Sequence, residues 1–359
     1  MRVVTCRGGL ARGIWEVVTA QLKAPFPYFG GKRRCAHLVW GAIGYDVPNY
    51  IEPAVGSAAV LLARPRGAGK IETINDLDCY VANFWRAVQH DPEAVAEHAD
   101  WPVNEADMHA RGAHLMAYRA DFAPRIHGEP ELFDVKVAGW WAWGMSTAIG
   151  GNWLANKGQE AVPRIMPCDN GLHVQGRDLP RLCGWVSGNG LHSGLAIGHS
   201  GRGLHSPERQ HLTTWFQALQ ARLRRVRVAC GDWSRVLTGA VTGASNATKS
   251  MGMSPCGVFL DLPYSAPRAA GCYVEDSVDA APQAQAWALE HGDDPHFRIV
   301  VAGYEGEHEF PPTWRVVAWK AQGGHGNRNR ENKNRHKERL WLSPHCLKFE
   351  QRELFEVSA

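Results

Sequence analysis

The sequence predicts an α/β protein in which a mostly parallel sheet is flanked by helices. Three observations carry this. Strand, turn and helix signals alternate between about residues 25 and 90. The alternation returns at about residue 208 and runs nearly to the C-terminus. Several apolar runs of strand length end in an acid, as expected where strands deliver polar groups to one edge of a sheet.

The elements follow in order. "PFPYFGGKRRCAHLVWGAI" reads as a Gly-Gly turn and then a helix. "NYIEPAVGSAAVLLA" gives a short strand ending near Glu52, a Gly/Ser turn and an apolar helix. "IETINDLDCYVANFWRAV" gives a second strand ending at Asn75 and Asp76, then another helix. Residues 91–206 break the pattern: only 105–149 read as helical, and the remainder is rich in Gly, His, Ser and aromatics. Long loops of that kind suggest an inserted recognition region. Then "ERQHLTTWFQALQARLRRV" is an amphipathic helix, "RVRVACGDW" a strand leading to Asp232, and "CGVFLDLPY" a strand leading to Asp261. A helix near 279–291, the strands "FRIVVAGY" and "WRVVAWKA", a basic polar run and a last strand complete the chain.

Composition sets bounds on function. The 359 residues carry a net charge of only +3, so an anionic partner must be met by local clusters of Lys and Arg. Nine cysteines fall into no regular framework, and the apolar stretch before residue 24 is broken by Arg12 and Glu16. The expectation is therefore free thiols in a reducing cytoplasm, with residues 1–22 a loosely attached extension. No apolar run approaches the roughly 18–20 residues of a membrane span. Cys168, His173 and Cys183 match no common zinc spacing, and no metal is expected. Fifteen tryptophans are many for this length. Trp140, Trp141 and Trp143 are expected mainly in the core of the inserted region.

The chemistry gathers at the strand ends: Glu52, Asp76, Asp232 and Asp261. "EPAVGSAAVLL" has small residues that let a ligand approach the backbone, but neither the full GxGxxG spacing nor a Walker lysine, which disfavours a diphosphate. Asp76 follows Gly56 by twenty residues, a position suited to ribose hydroxyls. In "DLPY", the Asp261 carboxylate and the Leu262 carbonyl can both accept hydrogen bonds from one exocyclic amine, with Tyr264 stacking on the attached base. Read singly, each of these residues serves equally as a helix cap or a core side chain.

Taken together, the motifs resemble the Dam-like DNA adenine-N6 methyltransferases, in the form common in phage genomes. "APFPYFGGKR" resembles that family's N-terminal cofactor motif, "YIEPAVGSAAVLL" its glycine motif, "TINDLD" its ribose motif, "VACGDW" its adenine-binding strand end and "FLDLPYS" its catalytic DPPY. "AGWWAWGMS", "GRGLH", "AGYEGEHE" and "ERLWLSPHCL" are similar to phage members, and the likeness covers about residues 22–348. The resemblance implies a Rossmann-like class I methyltransferase sheet, with the catalytic domain at 23–90 and 207–359 and a target-recognition insertion at 91–206. It implies S-adenosylmethionine as cofactor and double-stranded DNA as partner, in a monomer without a protein partner.

Carried over residue by residue, the resemblance has Tyr28 and Lys32 contact the cofactor. Pro53, Gly56 and Ser57, after Glu52, would shape its methionine pocket. Asp76 would hold the ribose, and Asp232, beside Trp233, the adenine amine. Asp261 with Leu262 would grip the target adenine, with Pro263 and Tyr264 fixing and stacking it after the base is flipped out of the duplex. DNA phosphates are expected to meet Arg202 and His205 in "SGRGLHS", and Arg328, Arg330, Lys333 and Arg335 in the closing basic run. One position departs from the family: its first proline is Leu262, which keeps the carbonyl but loses the ring's restraint on the backbone. That departure leaves two alternatives open, an RNA adenine methyltransferase and a cofactor- and DNA-binding relative that does not turn over.

Overall fold

A computed structural model describes residues 22–26, 28, 30–65, 67, 69–147, 154, 164–168, 171–175, 208–245, 251–264, 279–320 and 336–348. The expected extension at 1–22 lies outside these residues apart from Leu22. The main sheet has seven strands. In chain order they are β1 (Asn49–Glu52), β2 (Ile71–Asp76), β5 (Val226–Cys230), β6 (Cys256–Leu260), β7 (Phe297–Tyr304), β8 (Arg315–Ala318) and β9 (Glu338–Leu342); β3 (Arg164–Cys168) and β4 (Gly171–Gln175) form a separate hairpin. The spatial order is β5-β2-β1-β6-β7-β9-β8. The first five strands are mutually parallel, and β9 runs antiparallel to both β7 and β8. The structure is thus α/β, with a mixed sheet between helices.

Every residue of β1 and β6 is buried, as expected of parallel strands covered on both faces. Alternation sends neighbours to opposite sides. Tyr50, Phe259, Val300 and Ala302 join one apolar cluster, whereas Ile51, Val258, Leu260, Ile299 and Val301 join another. The first cluster is covered by α1 (Ala36–Ile43), α3 (Cys79–His90) and helices beyond them; the second by α8 (Ala280–His291) and a short 3-10 turn, Trp233–Val236. The apolar helix expected after "EPAVGS" is only the four residues of α2 (Ala59–Leu62), entered through Ala58 at φ 53.

The region after residue 91 opens with α4 (Pro92–Ala99), α5 (Glu105–Gly128) and α6 (Val135–Thr147). Asp91 and Asn104 cap α4 and α5 through the Ala94 and Asp107 amides, at 3.0 and 2.8 Å. These helices are not a detached layer. Val95, Leu115 and Trp141 share one apolar cluster with Trp85 of α3 and Phe216 of α7 (Glu208–Leu223). Trp141 and Trp143 are fully buried, whereas Trp140 is half-buried and packs against the Lys136 ammonium. Phe26 ties the N-terminal motif to this core. Its ring meets Trp141 and Phe84 edge-on, with centroids 4.7 and 5.0 Å apart, so the chain from Tyr28 to Lys32 is anchored at its start.

The strand order reverses between β1 and β6: β2 and β5 lie to one side of β1, and β7 lies beyond β6. In open α/β sheets ligands bind outside the carboxyl ends of the strands at such a reversal. Among the described residues, no helix is long and apolar enough to cross a membrane.

Candidate active site

A cleft of about 970 Å³, its mouth included, opens at this reversal. Tyr28, Lys32, Glu52, Pro53, Gly56, Ser57, Asp76, Asp232, Trp233, Asp261, Leu262 and Pro263 all line it, so residues scattered from 28 to 263 in sequence meet in one place.

Glu52 and Asp76 are the last residues of β1 and β2, and Asp261 directly follows β6. Gly56 starts the turn after β1 with φ at +47, where an L side chain is strained. A Cβ there would also fall 2.5 Å from Tyr28 Cδ1, so only glycine lets the turn lie against that ring. The turn is clasped from three sides. Asp76 Oδ2 accepts the Gly56 amide at 2.9 Å, the Trp85 indole donates to the Gly56 carbonyl at 2.9 Å, and Asn75 Nδ2 donates to the Pro53 carbonyl at 2.8 Å. Asn75 Nδ2 also donates to the Gly231 carbonyl at 2.8 Å and so joins the ends of β1, β2 and β5.

Burial dominates the electrostatics. It pushes the Glu52 carboxyl up to about 8, against hydrogen bonds from the Tyr50 hydroxyl and the Leu61 amide, each 3.2 Å. It pushes Asp76 up to about 7, against the amides of Asp78 and Gly56. Asp232 is exposed at the cleft wall, with Oδ1 accepting the Ser234 amide at 2.9 Å. Trp233 beside it is buried.

On the β6 side, Lys32 Nζ lies 2.8 Å from Asp261 Oδ1 and donates to the Gly30 carbonyl at 2.8 Å. Burial disfavours the ammonium, but Asp261 and then Glu338 outweigh it and raise the lysine above its usual range. Leu262 is 7% exposed and belongs to the apolar cluster that contains Trp233, Val236 and Leu237. Its side chain therefore fastens the segment by packing, where a proline would do so through its ring. Tyr264 sits beside the cleft, its hydroxyl donating to Glu338 at 3.0 Å, its ring edge-on to Tyr304 at 4.7 Å and 5.1 Å from the Lys32 ammonium.

Sequence reasoning missed several members. Leu77 is 47% exposed within the cleft wall, an apolar side chain left open next to Asp76. Asp78 also lines the cleft while capping α3 through the Tyr80 amide and pairing with Arg119 of α5 at 2.9 Å. Both lie in the quoted "TINDLD" and were legible as its neighbours. Glu338 opens the quoted "ERLWLSPHCL", but only the pairing of β9 with β7 brings it near Tyr264. The residues assigned to DNA contact, Arg202, His205, Arg328, Arg330, Lys333 and Arg335, lie outside the described residues. Arg339, the last of that basic run, pairs with Glu305 at 2.8 Å.

Cys35, Cys79, Cys230, Cys256 and Cys346 are free thiols. No known family model matches this chain, and no curated protein matches it.

Proposed function

We propose that the protein is an S-adenosylmethionine-dependent DNA adenine-N6 methyltransferase acting on an adenine flipped from duplex DNA. The observation that carries this reading is the convergence of Gly56, Asp76 and Asp232 with Asp261 and Leu262 on one cleft at the sheet's reversal. The order β5-β2-β1-β6-β7-β9-β8, with β9 antiparallel, supports a Rossmann-like class I methyltransferase sheet. A cytoplasmic, monomeric enzyme is the accompanying expectation.

The residues fit such a donor. The glycine cradle at Gly56 lets backbone approach the ligand, Asp76 and Asp232 offer acceptors for ribose hydroxyls and an adenine amine, and Val55, Leu77 and Trp233 offer apolar wall. Glu52 and Asp261 place two acids beside a ligand of net positive charge. The bound donor supplies an electrophilic methyl group. The protein's part is alignment.

A carboxylate has several lone-pair directions, and Lys32 takes one of those on Asp261. Asp261 and the Leu262 carbonyl would then accept the two hydrogens of the target amine, leaving the nitrogen lone pair to bond the methyl carbon as the sulfonium carbon–sulfur bond breaks, and one amine proton would leave through the Asp261 carboxylate. Tyr264 stacks on the flipped base, whose removal from the helix costs a few kcal/mol. The burial of Leu262 favours turnover over a silent binding protein, because the carbonyl keeps a packed support without the proline.

Calorimetry with S-adenosylmethionine tests the cofactor assignment. Saturable heat from the full chain, lost in Asp76→Ala, is expected. No heat from the unaltered protein sinks the reading.

A further inference from the structure

Glu338 is a carboxylate brought beside the catalytic segment by β9, a strand from the far end of the chain. It is 6% exposed, and its Oε2 accepts the Tyr264 hydroxyl at 3.0 Å. Buried carboxylates are costly unless they are hydrogen-bonded or paired, so this acid is not an idle surface group. The register pairs Glu338 with Tyr304 across β7 and β9, and Tyr304 is the ring that meets Tyr264 edge-on at 4.7 Å. One cross-strand pair therefore holds Tyr264 twice, at its hydroxyl and at its ring. The Lys32 ammonium lies over the ring, 5.1 Å from its centroid, while bonded to Asp261.

A stacking ring must present its face at a fixed angle, and a misplacement of about 1 Å can cost a hundredfold in rate. The geometry points to Glu338 as a positioning residue that fixes the Tyr264 ring as the platform for the target base and acts through that tyrosine on turnover. The inference rests on the methyltransferase reading above, since it assigns Tyr264 to the base. Chemistry at the target requires Asp261 to share its hydrogen-bonding capacity between Lys32 and the amine.

The experiment uses the full chain, S-adenosylmethionine and mixed-sequence duplex DNA free of adenine methylation. Turnover and donor affinity are measured for the unaltered protein, Glu338→Gln, Glu338→Ala, Tyr264→Phe and the Glu338→Ala/Tyr264→Phe double variant. Glutamine keeps an acceptor for the tyrosine hydroxyl and should retain turnover within about threefold. Alanine removes that acceptor, and the loss in turnover should be roughly tenfold or more, the scale of a hydrogen bond to a charged group. Donor affinity should stay within about twofold, because Glu338 is not among the cleft-lining residues. Tyr264→Phe should lose a similar factor, and the double variant should lose no more than either single one. A purely structural role would instead lower donor affinity and turnover together, and the losses would multiply. That pattern, or Glu338→Ala turning over normally, overturns the inference and leaves the methyltransferase reading standing. An unaltered protein that neither binds donor nor methylates DNA sinks both.

Discussion

Lys32 and Asp261 form a 2.8 Å ion pair in the cleft, with the lysine side chain 4% exposed and the aspartate 19%. Removing one member of a buried pair leaves an uncompensated charge, at about 3 kcal/mol. Asp261→Ala should therefore lose both stability, by about that amount, and methyl transfer, by more than about a hundredfold. Lys32→Met combined with Asp261→Leu should regain the stability and none of the activity. Urea denaturation beside a label-transfer assay separates the two; a double variant as unstable as Asp261→Ala would show that the pair is not what holds the segment.

Leu262 is the position that departs from the resembled motif, and its side chain is packed. Leu262→Ala should cost about 2–3 kcal/mol, the usual range for a buried leucine. Leu262→Pro should not raise turnover, because packing against Trp233 and its neighbours already fixes the segment. A Leu262→Pro variant several times faster than the natural chain would show that the proline's restraint was missed.

Gly56 has φ at +47 and lies close to Tyr28. Gly56→Ala should destabilise the chain by about 1–2 kcal/mol and weaken donor binding by roughly tenfold or more, since the turn must move off the tyrosine ring. Calorimetry and thermal melting check this together. Unchanged affinity would mean that the ligand does not lean on this turn.

Glu52 and Asp76, raised by burial to about 8 and about 7, give a pH dependence of definite sign. A carboxyl whose folded value lies above its unfolded one contributes stability that is full below the unfolded value and fades as pH rises through the folded one. The ligand-free protein should thus lose stability between about pH 4.5 and 8, and Glu52→Gln should flatten the upper part of that slope. A cationic donor favours the ionised carboxyls, so binding at neutral pH should release protons. Calorimetry in buffers of different ionisation enthalpy reads this directly; proton uptake would contradict it.

Much of the fold and of the cleft was legible because both rest on local rules. Apolar runs of strand length gave β1, β2, β5, β6, β7, β8 and β9, and acids at their ends gave Glu52, Asp76 and Asp261. What the sequence did not show depends on register and packing. Glu338 reaches Tyr264 only because β9 pairs antiparallel with β7, a contact across 74 residues. The shortness of α2 was hidden because "AAVLLA" is apolar all round and its periodicity does not mark an end. The sharing of one core by α4, α6 and α7 was hidden too, because an amphipathic face does not name its partner.

The central claim is tested most directly by incubating the full chain with methyl-labelled S-adenosylmethionine and, separately, duplex DNA, single-stranded DNA and RNA. Label should be recovered as N6-methyladenine from duplex DNA, and none when Asp261 is replaced by alanine. Label in RNA alone, or in DNA on a base other than adenine, would contradict it.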